Sequence, residues 1–391
     1  PLYAVHTAGV LTAQGHDVEY ARHFDSAKTY DFCLTTSSIV SHETELAAVQ
    51  NVNAHGIPVG VIGPFATTIP SPYLNAGGFV ISGEPEMYFL NHLLVPENLD
   101  ALSGIIESGN PISLDDLPLP AWEMVFKTAK PKFGLLGGKH VMLPIAATRG
   151  CPYSCFNYCV YPLQQGRKVR MRDPQKIVEE MEHWADTLGV TFYIFRDPVF
   201  SINREHTMKI CDALEKSNHK FKFVIETHLN NMDVELATRL QKLGLEMVKV
   251  GVESISPETI KESKRFTIEH DQQVERIKML EKLGIKITCF YILGMPGDTP
   301  DAFHATMDYA RQLNSVFAQI SVFTPYPGTP AFGQFKDKII ADKYEDFTQY
   351  DLVIKHDALN PAQVRKILSK AYRKYYLRPR WVFKYLAARF T

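Results

Sequence analysis

Apolar positions along this chain follow two rhythms that take turns. In the first hundred residues, short apolar and β-branched runs at 30–36, 57–62 and 78–82 read as strands, and 43–54 between them carries helical spacing. Residues 15–20 read as a further strand after an opening helix. Such alternation predicts a parallel, doubly wound α/β sheet, a Rossmann-like unit over residues 1–95. Residues 96–140 are rich in Pro, Gly and Leu and read as a linker. From 141 the alternation resumes with a longer beat, with candidate strands at 142–148, 191–195, 222–226, 247–252, 286–293 and 318–323. One intervening helix opens at Asp173-Pro174 and repeats Ile177, Met181, Trp184 and Leu188; another opens at Thr299-Pro300 and repeats Phe303, Met307, Ala310 and Leu313. Six strand-helix beats predict a partial, TIM-like (βα)6 barrel over 141–335. The last segment, 336–391, reads as helical, with rings and cations interleaved from Tyr372 to Tyr376 and from Arg380 to Tyr385. A helix packed on the barrel is the plainer reading of that segment, a lid or a membrane-surface helix the sharper one.

Size and charge narrow the function classes. A chain of 391 residues holds two or three domains with full cores. Its 42 basic and 43 acidic residues nearly cancel, so nothing argues for a nucleic-acid partner. No run of about 18 apolar residues suggests a transmembrane helix. The chain starts at Pro1 inside what reads as a helix, which leads to the expectation of an upstream piece carrying a first strand. Cys33, Cys211 and Cys289 stand singly in apolar contexts and read as buried thiols, consistent with a reducing cytoplasm.

The other three cysteines carry the chemistry. Cys151, Cys155 and Cys159 lie within nine residues, just after the first strand of the second unit and behind Arg149-Gly150. Thiolates this close can converge on one metal centre. Zinc closes its tetrahedron with four ligands and no fourth Cys or His is near, whereas a four-iron cluster on three cysteines keeps one iron open for substrate. A disulfide plus an odd thiol is the bland alternative.

The segment from Ala147 to Pro162, Ala-Thr-Arg-Gly-Cys-Pro-Tyr-Ser-Cys-Phe-Asn-Tyr-Cys-Val-Tyr-Pro, resembles the cluster loop of radical S-adenosylmethionine (SAM) enzymes, and the arrangement around it resembles their cobalamin-binding class. That family's common spacing is C-x3-C-x2-C. Here it is C-x3-C-x3-C, with Tyr158 where the third cysteine usually falls. Tyrosine substitutes poorly for a thiolate, so the third ligand is assigned to Cys159, with a local bulge around Asn157.

The resemblance implies a 4Fe-4S cluster, SAM and cobalamin as cofactors, and places their binding groups at the carboxyl ends of strands. For cobalamin these are Ser37, Ser38 and Gly63, with Gly83-Glu84 nearby; ordinary turn residues are the alternative. No D-x-H-x-x-G motif for a lower axial histidine is present. For SAM, the candidates are Asp197 after the second barrel strand, Glu226 after the third, Gly251, Glu253 and Ser254 at the fourth, and Gly294 and Pro296 after the fifth. His228 stands where relatives often carry Arg. Turn and cap roles compete at Asp197 and at the Gly294–Gly297 turn. The run 166–172 reads as a solvated basic face, or as Arg167 or Arg170 meeting SAM carboxylates or cobalamin phosphates.

Together these imply a cobalamin-dependent radical SAM C-methyltransferase. In that class the reduced cluster cleaves SAM to a 5'-deoxyadenosyl radical, which takes hydrogen from an unactivated carbon, and methylcobalamin supplies the methyl group. The expected partners are a small-molecule substrate and a flavodoxin- or ferredoxin-type electron donor. A same-family alternative performs ring formation, ring contraction or oxidation without methyl transfer. One of another class is a non-catalytic cobalamin or iron-sulfur protein, against which the strand-end motifs count.

Overall fold

A computed structural model describes residues 1–391 apart from 96–98, 100, 110–112, 129–131, 136–137, 154, 263–266 and 391. The first unit is a four-stranded parallel sheet of β1 (Cys33–Thr36), β2 (Val59–Ile62), β3 (Phe79–Ser82) and β4 (Ile105–Glu107), in that order. Central β2 is buried throughout, as an all-apolar parallel strand covered on both faces must be. Helices α1 (Leu2–Ala13) and α2 (His42–Asn53) supply its cover, through Val10 and Leu11 on one side and Val49 and Val52 on the other.

Two expectations need correction here. Residues 15–20 form no strand; mostly exposed, they pair with no strand among the described residues, and the His16 N–H instead donates to Leu11 O to close α1. The stretch 96–140, part of which lies outside the described residues, is more than a linker, since β4 within it completes the first sheet.

The second unit is a six-stranded parallel sheet with strands in chain order: β5 (Leu143–Ile145), β6 (Phe192–Phe195), β7 (Lys222–Glu226), β8 (Leu245–Glu253), β9 (Lys286–Leu293) and β10 (Phe317–Val322). Outward residues such as Tyr193, Phe223, Val248, Val250, Ile287 and Cys289 enter the main core. Inward ones, Met142, Ile194, Val224 and Met247, form a separate apolar cluster inside the curve. Helix α3 (Pro174–Leu188) is started by the Asp173 carboxylate, which accepts from Gln175 N and Lys176 N, and buries Ile177, Met181 and Trp184. Helix α4 (Pro300–Leu313) uses Thr299 in the same way.

An open sheet leaves backbone groups unpaired at its edge, and β10 is such an edge. Helix α5 (Pro361–Tyr376) covers it with hydroxyls four residues apart. Tyr372 accepts from Ile320 N at 3.0 Å and donates to Ile320 O at 2.9 Å; Tyr376 accepts from Ala318 N at 2.8 Å and donates to Ala318 O at 2.7 Å. Each ring thereby stands in for a missing strand residue. The interleaved rings of this segment thus pack on the barrel, followed by α6 (Pro379–Phe390), whose Trp381 donates to Val316 O at 2.8 Å.

Candidate active site

The cysteine loop springs from a two-residue antiparallel ladder, Thr148–Arg149 against Arg170–Met171. Gly150 has φ +88, and a Cβ there would meet Lys168 O at 2.1 Å, so only glycine lets the chain turn into the loop. Asp197, just past β6, holds the root of the loop. Its carboxylate accepts from Ala147 N at 3.2 Å, Thr148 N at 2.5 Å and Thr148 Oγ1 at 2.7 Å, and it is fully buried. Burial raises its pKa to about 6 against these hydrogen bonds, of which the Thr148 side chain's is the strongest counterweight. The expectation that Asp197 faces the SAM ammonium therefore gives way to a positioning role, because its oxygens are already turned to the backbone before the cysteines.

Within the loop, Cys155–Asn157 makes one 3-10 turn and Asn157 sits at φ +51. The residue beyond the usual spacing is absorbed there. Tyr158 turns its ring edge-on to Phe323, 5.7 Å between centroids, and packs against the main core. None of the three cysteines is in a disulfide among the described residues. Burial raises the Cys159 thiol to about 11, opposed by the Tyr161 backbone, with the charges of Cys151, Cys155 and Glu226 adding to the rise. Cys151 is raised by burial too and also senses Cys155. Three thiols close enough to oppose one another's ionisation form a donor set that a cationic iron cluster would stabilise as thiolates.

The carboxyl ends of the first sheet meet this loop. Arg170 donates to both Glu84 oxygens, at 2.9 and 2.6 Å, and Arg149 lies 2.5 Å from Glu86 and 3.5 Å from Glu84. Burial opposes the Arg149 charge, but Glu86 and Glu84 outweigh it and raise its pKa. Gln164 adds a bond to Gly83 O at 3.4 Å. Arg170 thus meets a carboxylate of the protein itself, and Arg172 pairs with Glu180 at 2.7 Å, so two of the four cations of the basic run are held by the protein, while Arg167 and Lys168 stay exposed. Arg167, more exposed, donates to Tyr153 O.

Among the expected cobalamin contacts, the Ser37 hydroxyl accepts from Ala66 N at 2.9 Å, and Ser38 N donates to the Glu45 carboxylate at 2.9 Å. Gly63 has φ +119, and a Cβ there would come 2.5 Å from the Tyr3 hydroxyl. Close approach at Gly63 is made by Tyr3, where a flat ligand was expected.

Inside the barrel the polar groups behave differently. Glu226 and Lys249 are register partners on β7 and β8, two residues beyond the inward Val224 and Met247. Among the described residues neither side chain has a hydrogen bond or ion pair, and neither does that of Arg196, one residue past β6. Burial raises the Glu226 pKa, opposed by Lys249 and Arg196, and lowers that of Lys249. Glu226 also raises the thiol of Cys159 and the phenol of Tyr161, which puts this charged layer beside the cysteine loop. On the other side of Lys249 opens a cavity of about 390 Å3, floored by Met142, Ile194, Val224 and Met247 and bordered by Phe317 and Tyr376, with half-exposed Tyr350 on its wall.

At the end of β8, Glu253 is buried and adopts φ +64, where the pairing of Gly251 with Phe290 is followed by a register shift. A left-handed non-glycine residue at a strand end marks a position that the surroundings must enforce. Ser254 was expected to hold ribose or ammonium, yet its hydroxyl lies 3.4 Å from Thr306 and accepts from Ser256 N, so it is a turn residue. The Gly294 N–H donates to Asp298 at 3.0 Å, Asp298 N returns to Met295 O, and Pro296 lies within that turn. His228 accepts from Asn230 N, and its ring is 6.5 Å from that of Tyr153 in the cysteine loop.

Lys249, Arg196 and Glu86 escaped the sequence reading, and Glu84 was read as a neighbour of cobalamin rather than as a partner of Arg170. For Lys249 a signal existed, since a lone cation interrupts the apolar stretch Met247 to Val252 on the same face as Met247. The clamp had none, because its partners lie more than 60 residues apart.

A parallel half-barrel with three cysteines after its first strand and a sheet domain against that loop defines the fold class of the cobalamin-dependent radical SAM enzymes. Residues 145–310 match the Radical SAM superfamily. That stretch is a radical SAM domain, and the domain implies a 4Fe-4S cluster and SAM. The chain is 25% identical over 382 residues to an uncharacterized methyltransferase of Pyrococcus horikoshii, covering 90% of this chain and 79% of that one. It is 27% identical over 212 residues to the bacteriochlorophyllide d C-12(1)-methyltransferase of Chlorobaculum tepidum, covering 54% of this chain but only 45% of that protein. In fold it resembles TsrM, a radical SAM methyltransferase of Kitasatospora setae solved with cobalamin and a [4Fe-4S] cluster bound, at TM-score 0.66 and 16% identity over 94% of this chain and 82% of that one. No helix among the described residues is long and apolar enough to cross a membrane.

Proposed function

We propose that this chain is a cobalamin-dependent radical SAM C-methyltransferase in which the charged layer of Glu226, Lys249 and Arg196 receives SAM. The observation that carries this reading is the unpaired state of that layer beside Cys159. Charges taken out of water are ordinarily paired, so a partly buried acid and base left without a hydrogen bond or ion pair among the described residues, with exposed Arg196 nearby, favour a zwitterionic ligand. Glu226 accepts from the SAM ammonium, and Lys249 or Arg196 meets its carboxylate. Glu253 accepts from a ribose hydroxyl or the ammonium. Cys151, Cys155 and Cys159 hold the cluster, leaving one iron for SAM.

The apolar cavity beyond Lys249 takes the substrate and excludes water around the reacting carbon. Cobalamin would be held by the first unit, whose strand ends the Glu84–Arg170 clamp keeps against the cysteine loop. When bound, the cluster with SAM supplies a radical able to take hydrogen from an unactivated carbon, and methylcobalamin supplies the methyl group. Electrons come from a flavodoxin- or ferredoxin-type donor. The similarity to proteins named as methyltransferases favours methyl transfer over cyclisation or oxidation.

The test uses anaerobically reconstituted protein with hydroxocobalamin, SAM and a low-potential reductant. Cobalamin retained through desalting and a product heavier by one methylene unit are expected. A product that has lost hydrogen or gained oxygen moves the chain to the cyclase or oxidising class. Absence of SAM cleavage by protein with a full cluster rejects the enzyme reading.

A further inference from the structure

The acidic and basic residues that cancel over the whole chain are not evenly spread. Residues 361–391 hold nine Lys and Arg and no Asp or Glu, while the remaining 360 residues hold 33 basic against 43 acidic. This basic stretch comprises α5 and α6, consecutive helices packed on the outside of the barrel.

The two helices present unlike inner and outer faces. Inward, α5 buries Val364, Leu368, Ala371 and Tyr375, and α6 turns Trp381 and Tyr385 to the barrel, with Lys384 paired to Glu281. Outward, Lys366, Lys370, Arg373 and Lys374 make an exposed ridge along α5, and Arg380 stands exposed at the start of α6. Among the described residues none of these five side chains makes a hydrogen bond or ion pair. The ridge leads to Leu377, 75% exposed, and then to Phe383, 73% exposed, beside Val382 and Leu386. Scattered exposed apolar residues are ordinary. Four together, next to unpaired cations and with no acid in the same 31 residues, are an amphipathic surface of one sign.

We propose that α5 and α6 dock on an anionic lipid bilayer, with Phe383, Leu386 and Leu377 entering the acyl boundary and the α5 ridge lying over the headgroups. Charge complementarity selects this occupant. Lys and Arg near an anionic leaflet are attracted over about a Debye length, and apolar rings alongside convert that attraction into insertion. The inner side of α5 borders the barrel cavity through Tyr372 and Tyr376, and Tyr385 of α6 lies 6.3 Å from the cavity residue Phe317, centroid to centroid. Resting on the substrate role proposed for that cavity, docking through these helices sets it beside the bilayer, where an apolar substrate dissolved in lipid is concentrated.

The whole chain, reconstituted with its cluster, is floated with phosphatidylcholine vesicles and with vesicles containing one-third phosphatidylglycerol. Binding to the anionic vesicles at least tenfold above the neutral ones, falling as salt rises to 0.5 M, is expected. Phe383→Ser with Leu386→Ser lowers it about tenfold or more at unchanged melting temperature. Phe383→Trp, which keeps the fold intact, should gain emission that brominated lipid quenches. Equal recovery with both vesicle types, or a double serine variant that binds like the parent, overturns the proposal. So does a parent that is dimeric and indifferent to vesicles but becomes monomeric in the double variant, since the face then covers a second copy. Vesicle binding is read without turnover, so its failure leaves the methyltransferase reading to its own test.

Discussion

Both parallel sheets present polar residues at their carboxyl ends, but they use them differently. In the first sheet Ser37, Ser38 and Glu84 are all engaged by protein groups, and the space over Gly63 is filled by Tyr3. In the barrel the rim divides. Asp197 and Ser254 are engaged in the same way, whereas Glu226 and Lys249 on the inner face have no protein partner among the described residues. A polar strand end is therefore not in itself a ligand site. What separates the two kinds is whether the fold has already supplied the complementary group.

That division can be broken most severely at the cysteines. Cys159→Ala should abolish cluster retention after anaerobic reconstitution, read as iron content and the visible spectrum; full retention would sink the extended spacing and return the third ligand position to Tyr158 or elsewhere. Next comes the engaged class. Arg170→Ala leaves Glu84 nearly buried beside only Arg149, and breaking a buried pair costs about 3 to 5 kcal/mol. A fall in melting temperature is expected, with SAM affinity of the folded fraction close to the parent's. Loss of SAM affinity at unchanged stability would move Arg170 into the other class.

Glu226→Gln is the converse experiment. Losing a hydrogen bond to a charged partner costs about 1.5 to 3 kcal/mol, roughly ten- to a hundredfold in binding. SAM affinity should drop by that factor while melting temperature holds or rises, since the substitution removes a partly buried charge whose ionised form burial disfavours. A marked loss of stability with intact SAM binding would show that Glu226 is built into the wall after all.

The smallest expected effect concerns Asp197. Its folded pKa of about 6 lies above the ordinary aspartate value, so the folded chain holds this proton more tightly than the unfolded one. The stability it contributes is complete below the ordinary value and is lost as pH rises through about 6. Asp197→Asn should flatten that part of the curve of melting temperature against pH. An unchanged curve would mean that Asp197 does not titrate in this window, and would weaken the case for its burial at the root of the loop.

The sequence by itself determined the order of elements and the cysteine loop. Period-two and period-3.6 patterns are local, so β7 and β9 fell on the residues expected, and α3 and α4 start beside their capping residues Asp173 and Thr299. The three thiols were legible because their spacing is local too, and the bulge anticipated at Asn157 is met by its positive φ. Tertiary structure alone decided which strand ends are occupied. Asp197 meets Thr148 across 49 residues, Arg170 meets Glu84 across 86, and Tyr372 closes the β10 edge across 52. Satisfaction of a buried polar group depends on what the folded chain brings within 3 Å of it, and neighbours that far along the chain leave no periodic trace at either position.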